Sequence, residues 1–171
     1  MNERHLRKRC KSVLRTLGIR PPLRVHEFCR LLGDHRGRPI HPIPYALPVP
    51  GPFGLWIATD TADYLFYQKE TSPAHQDHII LHEVGHVLAD HASDESDGEI
   101  WSAMLPDLSL DVINRALRRT SYDEEREREA ELVATIILEW ASVLDRVTPR
   151  APASASARRV HTALGDRQGW L

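Results

Sequence analysis

Apolar residues recur at helical spacing from the start of the chain: Leu6, Cys10, Val13, Leu14 and Leu17. Positions three and four apart share one face of a helix, so this segment reads as amphipathic and helical. Gly18 stops it, with Pro21 and Pro22 beyond. Val25, Phe28, Cys29 and Leu32 make a second short helix, and Gly33 is its expected C′ residue. Residues 37–52 hold six of the twelve prolines, which predicts an extended or irregular segment and excludes a central strand. From Gly54 the period changes. Leu55-Trp56-Ile57 and Tyr64-Leu65-Phe66-Tyr67 flank Thr59-Asp60-Thr61-Ala62, which reads as a β-hairpin over 53–68.

Pro73 opens a predicted helix that runs to His91, with Ser72 as its N-cap. An acidic loop follows (Asp94, Glu95, Asp97, Glu99), then an amphipathic helix on Leu110, Ile113, Ala116 and Leu117. Ser121-x-x-Glu124 is a capping box that opens a long helix over 121–145, with Ala130, Val133, Ala134, Ile137, Ala141 and Leu144 as its stripe. Pro149 to Ala157 is a Pro/Ala/Ser linker before a short C-terminal segment. Helices at the start, a hairpin and then more helices predict an α+β fold, with residues 1–148 as one domain and 149–171 as linker and tail.

Composition narrows the class. At 171 residues, 27% charged and 42% apolar, the chain suits one ordinary globular domain. No stretch approaches the roughly 18 apolar residues of a membrane span. The basic start, MNERHLRKRCKSVLRTLGI, lacks the apolar core of a signal peptide, so the cytoplasm is the expected compartment. Cys10 and Cys29 fall on apolar stripes and are expected to be buried free thiols. The basic residues around Arg4–Arg15 read as a solvated helix face. With a net charge of −2 and no aromatic interleaving, no direct nucleic-acid binding is expected.

Ten histidines are the unusual count, and their spacing carries chemistry. His82-Glu83-Val84-Gly85-His86 is H-E-x-x-H on a predicted helix. Residues i and i+4 share a face, so both imidazoles can reach one zinc ion, and Glu83 can take a proton from the water bound there. Two imidazoles and a carboxylate suit zinc, with manganese or iron as the alternatives. Ile80, Val84, Val87 and Leu88 supply the packing face, and Gly85 lets another backbone approach.

His78 extends the stripe and reads as cleft wall or outer support, with a His78/His82 pair as the alternative clamp. Asp90 reads as an outer hydrogen-bond partner of a ligating imidazole, whereas His75 and His91 read as solvent-facing or locally satisfied. A catalytic zinc wants a third protein ligand. In Asp123-Glu124-Glu125-Arg126-Glu127-Arg128-Glu129-Ala130-Glu131, Glu129 stands at the border of the apolar stripe and is the expected ligand, with Glu125 and Glu131 as alternatives.

The hairpin with Gly54, the His82–His86 motif and the later Glu127-Arg128-Glu129-Ala130-Glu131-Leu132-Val133-Ala134 together resemble the ImmA/IrrE family of zinc peptidases over roughly residues 50–145. The resemblance implies a compact, gluzincin-type zincin fold. It implies one Zn2+ on His82, His86 and Glu129, with Glu83 as general base. Members cleave helix-turn-helix repressors, so the expected partner is a protein substrate such as an XRE-type repressor. Peptide-bond hydrolysis is then the expected activity, with substrate lying along the Tyr64–Tyr67 strand. Tyr122, His78 and Tyr64 are the candidates to steady the oxyanion. The rival expectation is a zinc-containing module that binds a regulatory partner without cleaving it. A deformylase-like hydrolase needs a cysteine ligand, and neither Cys10 nor Cys29 lies in a suitable motif.

Overall fold

A computed structural model describes residues 3–49, 51–91 and 123–147. The acidic loop at 94–99, the helix proposed around Leu110–Leu117, Ser121, Tyr122 and the linker at 149–157 lie outside the described residues. Two helices open the chain, α1 (Glu3–Thr16) and α2 (Val25–Arg36). Strands β1 (Ile40–Tyr45), β2 (Gly54–Ala58) and β3 (Asp63–Gln68) follow, then helices α3 (Pro73–Ala89) and α4 (Glu124–Val147). The described chain is thus α+β.

Strand order in the sheet is β1-β3-β2. β2 and β3 form the expected antiparallel hairpin, with Trp56 opposite Leu65. Its turn is closed by Thr59, whose hydroxyl accepts from the Ala62 N–H at 3.0 Å. β1 joins β3 in parallel, which makes the sheet mixed. Pro42 and Pro44 sit on β1, and an edge strand tolerates them because one of its sides needs no N–H donors.

Helix boundaries differ from the sequence reading in three places. α2 runs through Gly33 and ends at Gly37, which takes the left-handed φ of 69°. Gly33 is needed for another reason: a Cβ there would lie 2.8 Å from the Ile40 backbone nitrogen. α3 starts at Pro73 behind Ser72, whose hydroxyl accepts from the His75 N–H at 3.3 Å, as the sequence predicts. It ends two residues early, because Asp90 turns left-handed at φ 55°. α4 starts at Glu124, with the Asp123 carboxylate accepting from the Arg126 N–H at 2.9 Å.

The main core lies between the helices and one face of the sheet. Leu6, Leu14, Phe28, Leu65, Ile80, Leu81, Val84, Val133 and Ile137 are buried in it. Cys10 and Cys29 are free and buried there, as expected, and burial pushes their thiols up to about 11 and about 12. On the other face Leu47, Leu55, Ile57 and Phe66 form a smaller cluster, so β3 is buried on both sides. Among the described residues, no helix is long and apolar enough to cross a membrane.

Candidate metal centre

The site is built where α3 crosses α4 in front of β2. The crossing is close because both helices carry small residues at the contact. A Cβ on Gly85 would lie 2.7 Å from the Ala130 Cα and carbonyl oxygen, so glycine sets how near the backbones come. Ile80, Val84, Val87 and Leu88 are all buried, as the packing face requires. The opposite stripe of α3 presents His78, His82 and His86 toward α4.

His82 and His86 meet Glu127. The two Nε2 atoms are 3.2 Å apart, His82 Nε2 is 3.2 Å from Glu127 Oε2, and His86 Nε2 is 3.8 Å from Glu127 Oε1. One ligand atom from each residue falls within 4.8 Å of the others, so this group could hold a metal ion. The spacing fits that role. Two donors each about 2.0–2.1 Å from a tetrahedral ion lie about 3.3–3.4 Å from each other.

Glu129, the ligand expected from sequence, is not in this group. Its carboxylate is 3.1 Å from His91 Nε2. Two residues along a helix turn the side chain by about 200°, so Glu127 and Glu129 leave α4 on opposite borders of its apolar stripe. The border that faces His82 is the Glu127 side. Glu131, one turn beyond Glu127, shares that side and lies 3.1 Å from His78 Nε2 and 3.4 Å from His82 Nδ1. Glu125 is exposed.

Glu83 leaves α3 toward β2 and is buried. The Trp56 backbone N–H donates to its carboxylate. Gly54 makes room for it: a Cβ there would collide with Glu83 Oε1 and lie 2.8 Å from the Ile79 side chain. Burial, then the nearby Glu127 charge, push the Glu83 carboxyl up to about 8, against the Trp56 hydrogen bond, which lowers it. A carboxyl held this high is a competent proton acceptor and donor near neutral pH.

His86 is almost wholly buried. Burial and then the neighbouring His82, His91 and Arg126 push its pKa down to about 3. It is therefore neutral, the form that can ligate a metal. For Glu131, burial raises the carboxyl, but hydrogen bonds and charge from His78 and His82 outweigh that and the net shift is downward. A cleft of about 340 Å³ joins these groups, with Phe53, Gly54, Trp56, His75 and Ile79 completing its walls.

The remaining expected site residues fall as follows. His78 lines the cleft. Tyr64 does not: strand alternation sends it to the far face of the sheet with Ile57 and Phe66, where its ring lies 5.3 Å from that of His41. Asp90 is exposed at the helix end, and the bond to a ligating imidazole expected of it is made by His91 instead. His91 is buried, not solvent-facing, because the left-handed turn at Asp90 folds it back onto α3. His75 is exposed and bonded locally to Thr71, as expected. Tyr122 lies outside the described residues.

Sequence reasoning missed Glu127 and His91. Glu127 lies three residues before Ala130 and seven before Ala134, which was a usable signal. No local pattern announces His91.

The described chain is an α+β protein with four helices and a three-stranded mixed sheet, and its His82–His86–Glu127 group could hold a metal ion. Comparison with protein-family models finds no match, and comparisons with curated proteins and with solved structures find none either.

Proposed function

We propose that the chain is a zinc-dependent endopeptidase. The observation that carries this reading is the buried Glu83 carboxylate standing beside the His82–His86–Glu127 group at the wall of one cleft. A site that only stored a metal has no need of a buried acid beside the three residues that would hold it. His82, His86 and Glu127 hold the ion, and their two imidazoles and one carboxylate suit zinc. When bound, zinc supplies a Lewis acid that polarises a carbonyl and makes a water acidic near neutral pH.

The chain's own residues do the rest. The Glu83 carboxylate accepts the proton of the attacking water and returns it to the leaving amine. The Trp56 N–H and the space at Gly54 fix where that carboxylate points. An extended peptide is held along β2. This corrects the Tyr64–Tyr67 expectation, because β3 is paired on both sides while β2 has one strand neighbour among the described residues. β2 also lines the cleft through Gly54 and Trp56. Of the two oxyanion candidates among the described residues, His78 lines the cleft and Tyr64 does not. The resemblance to the ImmA/IrrE family supports the substrate class, a regulatory protein such as a helix-turn-helix repressor, and the buried free thiols Cys10 and Cys29 suit a cytoplasmic setting.

The test is Glu83→Gln in the zinc-loaded chain, with a peptide library as substrate and mass spectrometry as readout. The variant is expected to keep one zinc per chain and lose cleavage by about 10²–10⁴-fold, the usual worth of a general base. If it cleaves like the wild type, or if the zinc-loaded wild type cleaves nothing, the peptidase reading falls. A zinc-containing binding module then takes its place.

A further inference from the structure

The structure assigns a positioning role to His91 and Glu129: they form a hydrogen-bond relay that fixes which nitrogen of His86 carries the proton. The inference rests on the metal reading of the site but not on peptide hydrolysis. His86 Nδ1 lies 3.1 Å from His91 Nδ1, and His91 Nε2 lies 3.1 Å from Glu129 Oε2. The side chains of His86, His91 and Glu129 are 1%, 7% and 13% exposed, so water competes little for these bonds.

With Glu129 ionised and His91 neutral, the proton order along the relay follows from its far end. An ionised carboxylate only accepts, so Glu129 requires the proton of a neutral His91 to sit on Nε2. His91 Nδ1 is then a lone pair and can only accept. His86 must therefore donate from Nδ1, which leaves its Nε2 lone pair directed at His82 Nε2 and Glu127. That is the tautomer a metal needs. The opposite tautomer would place a proton on His86 Nε2, in the space between the donor atoms. Ligating histidines commonly pass their other N–H to a carboxylate or a carbonyl, and this fixes the ring and its basicity. Here a second imidazole stands between ligand and carboxylate.

The backbone supports the relay. Asp90 is the left-handed residue that ends α3, and the His91 N–H closes back on the His86 carbonyl at 3.1 Å. This turn folds the His91 ring against the His86 ring, with centroids 5.2 Å apart. Glu129 reaches His91 from the border of α4 opposite to Glu127. The one helix thus supplies both a ligand and the end of the relay.

The test uses the full chain labelled with 15N-histidine, zinc titration against a competing chelator, and long-range 1H–15N correlation spectra of the histidine rings. In the wild type, His86 is expected to show a slowly exchanging proton on Nδ1 both with and without zinc. In His91→Phe, which fills the same space, that proton is expected to exchange with water and the zinc Kd to rise by about 10–100-fold. Glu129→Gln is expected to change both readouts in the same direction by less, because an amide can donate as well as accept and no longer dictates the order. It also serves if His91→Phe does not fold. A folded His91→Phe or Glu129→Gln that keeps the slow Nδ1 proton and binds zinc within twofold of the wild type overturns the relay alone. A wild-type chain that binds no zinc overturns the relay and the metal reading together.

Discussion

Glu127, Glu129 and Glu131 alternate along α4 and end at different sets of imidazoles: Glu127 at His82, Glu129 at His91, and Glu131 at His78 and His82. In sequence they look alike, as carboxylates among arginines. Helical rotation of about 100° per residue separates them: Glu127 and Glu131 differ by about 40°, whereas Glu129 lies on the other side of the stripe. The apolar stripe was legible, and so was the border position of Glu129. Which border faces α3 was not, because periodicity defines a face without saying what stands beside each edge. The expected consequence is a difference between two alanine variants. Glu127→Ala removes a proposed ligand and should weaken zinc binding by more than the ~100-fold ceiling of outer-shell substitutions, and Glu129→Ala by less. Chelator competition measures both, and the reverse order would restore Glu129 as the ligand.

Between elements, the decisive contact is the α3–α4 crossing. α3 itself was readable: Ser72 caps it, Pro73 opens it, and His82 and His86 share a face. The sequence also marked Gly85 as a place of close approach, and Ala130 is what approaches. Gly85→Ala sets two effects against each other. Replacing a helical glycine gains about 1 kcal/mol of helix propensity. Overpacking costs about 1–3 kcal/mol, and here the obstruction is backbone, which cannot swing away. The variant is expected to be less stable by about 1 kcal/mol in urea unfolding. It should also bind zinc more weakly, since the helices that carry the ligands are pushed apart. A stabilised variant with unchanged zinc affinity would show that the crossing is loose.

Across the whole molecule, Asp63 joins pieces that sequence shows only separately. It is fully buried at the start of β3. Its carboxylate accepts from Arg36 and Arg38 at 2.7 Å each, and from Trp56 Nε1 at 2.9 Å. The end of α2, the lead into β1, and strands β2 and β3 are tied through that one group. Nothing near Asp63 in sequence reveals this, since its partners lie 27 and 25 residues before it and seven residues away across the hairpin. Asp63→Asn keeps the shape but removes the charge that both guanidinium groups face. The expected loss is about 2 kcal/mol, the scale of hydrogen bonds to a charged group. It would be read as a lower urea midpoint at unchanged slope. An unchanged midpoint would mean that the two arginines are as well satisfied by water.

What the sequence determined by itself is local. Within a few residues, periodicity, caps and prolines specify the described helices, the hairpin, the exclusion of residues 37–52 from the centre of the sheet, and two imidazoles on one face with a glutamate beside them. The tertiary structure alone decided that Glu127 closes the group, that His91 folds under His86, and that β2 is, among the described residues, the edge strand by the cleft. The physical reason is range. A helix face is set by bonds and steric contacts inside one turn, so a short segment encodes it. The side from which a second helix arrives depends on which small residues, here Gly85 and Ala130, let the two backbones meet. These two lie 45 residues apart in the chain, and only packing brings them together.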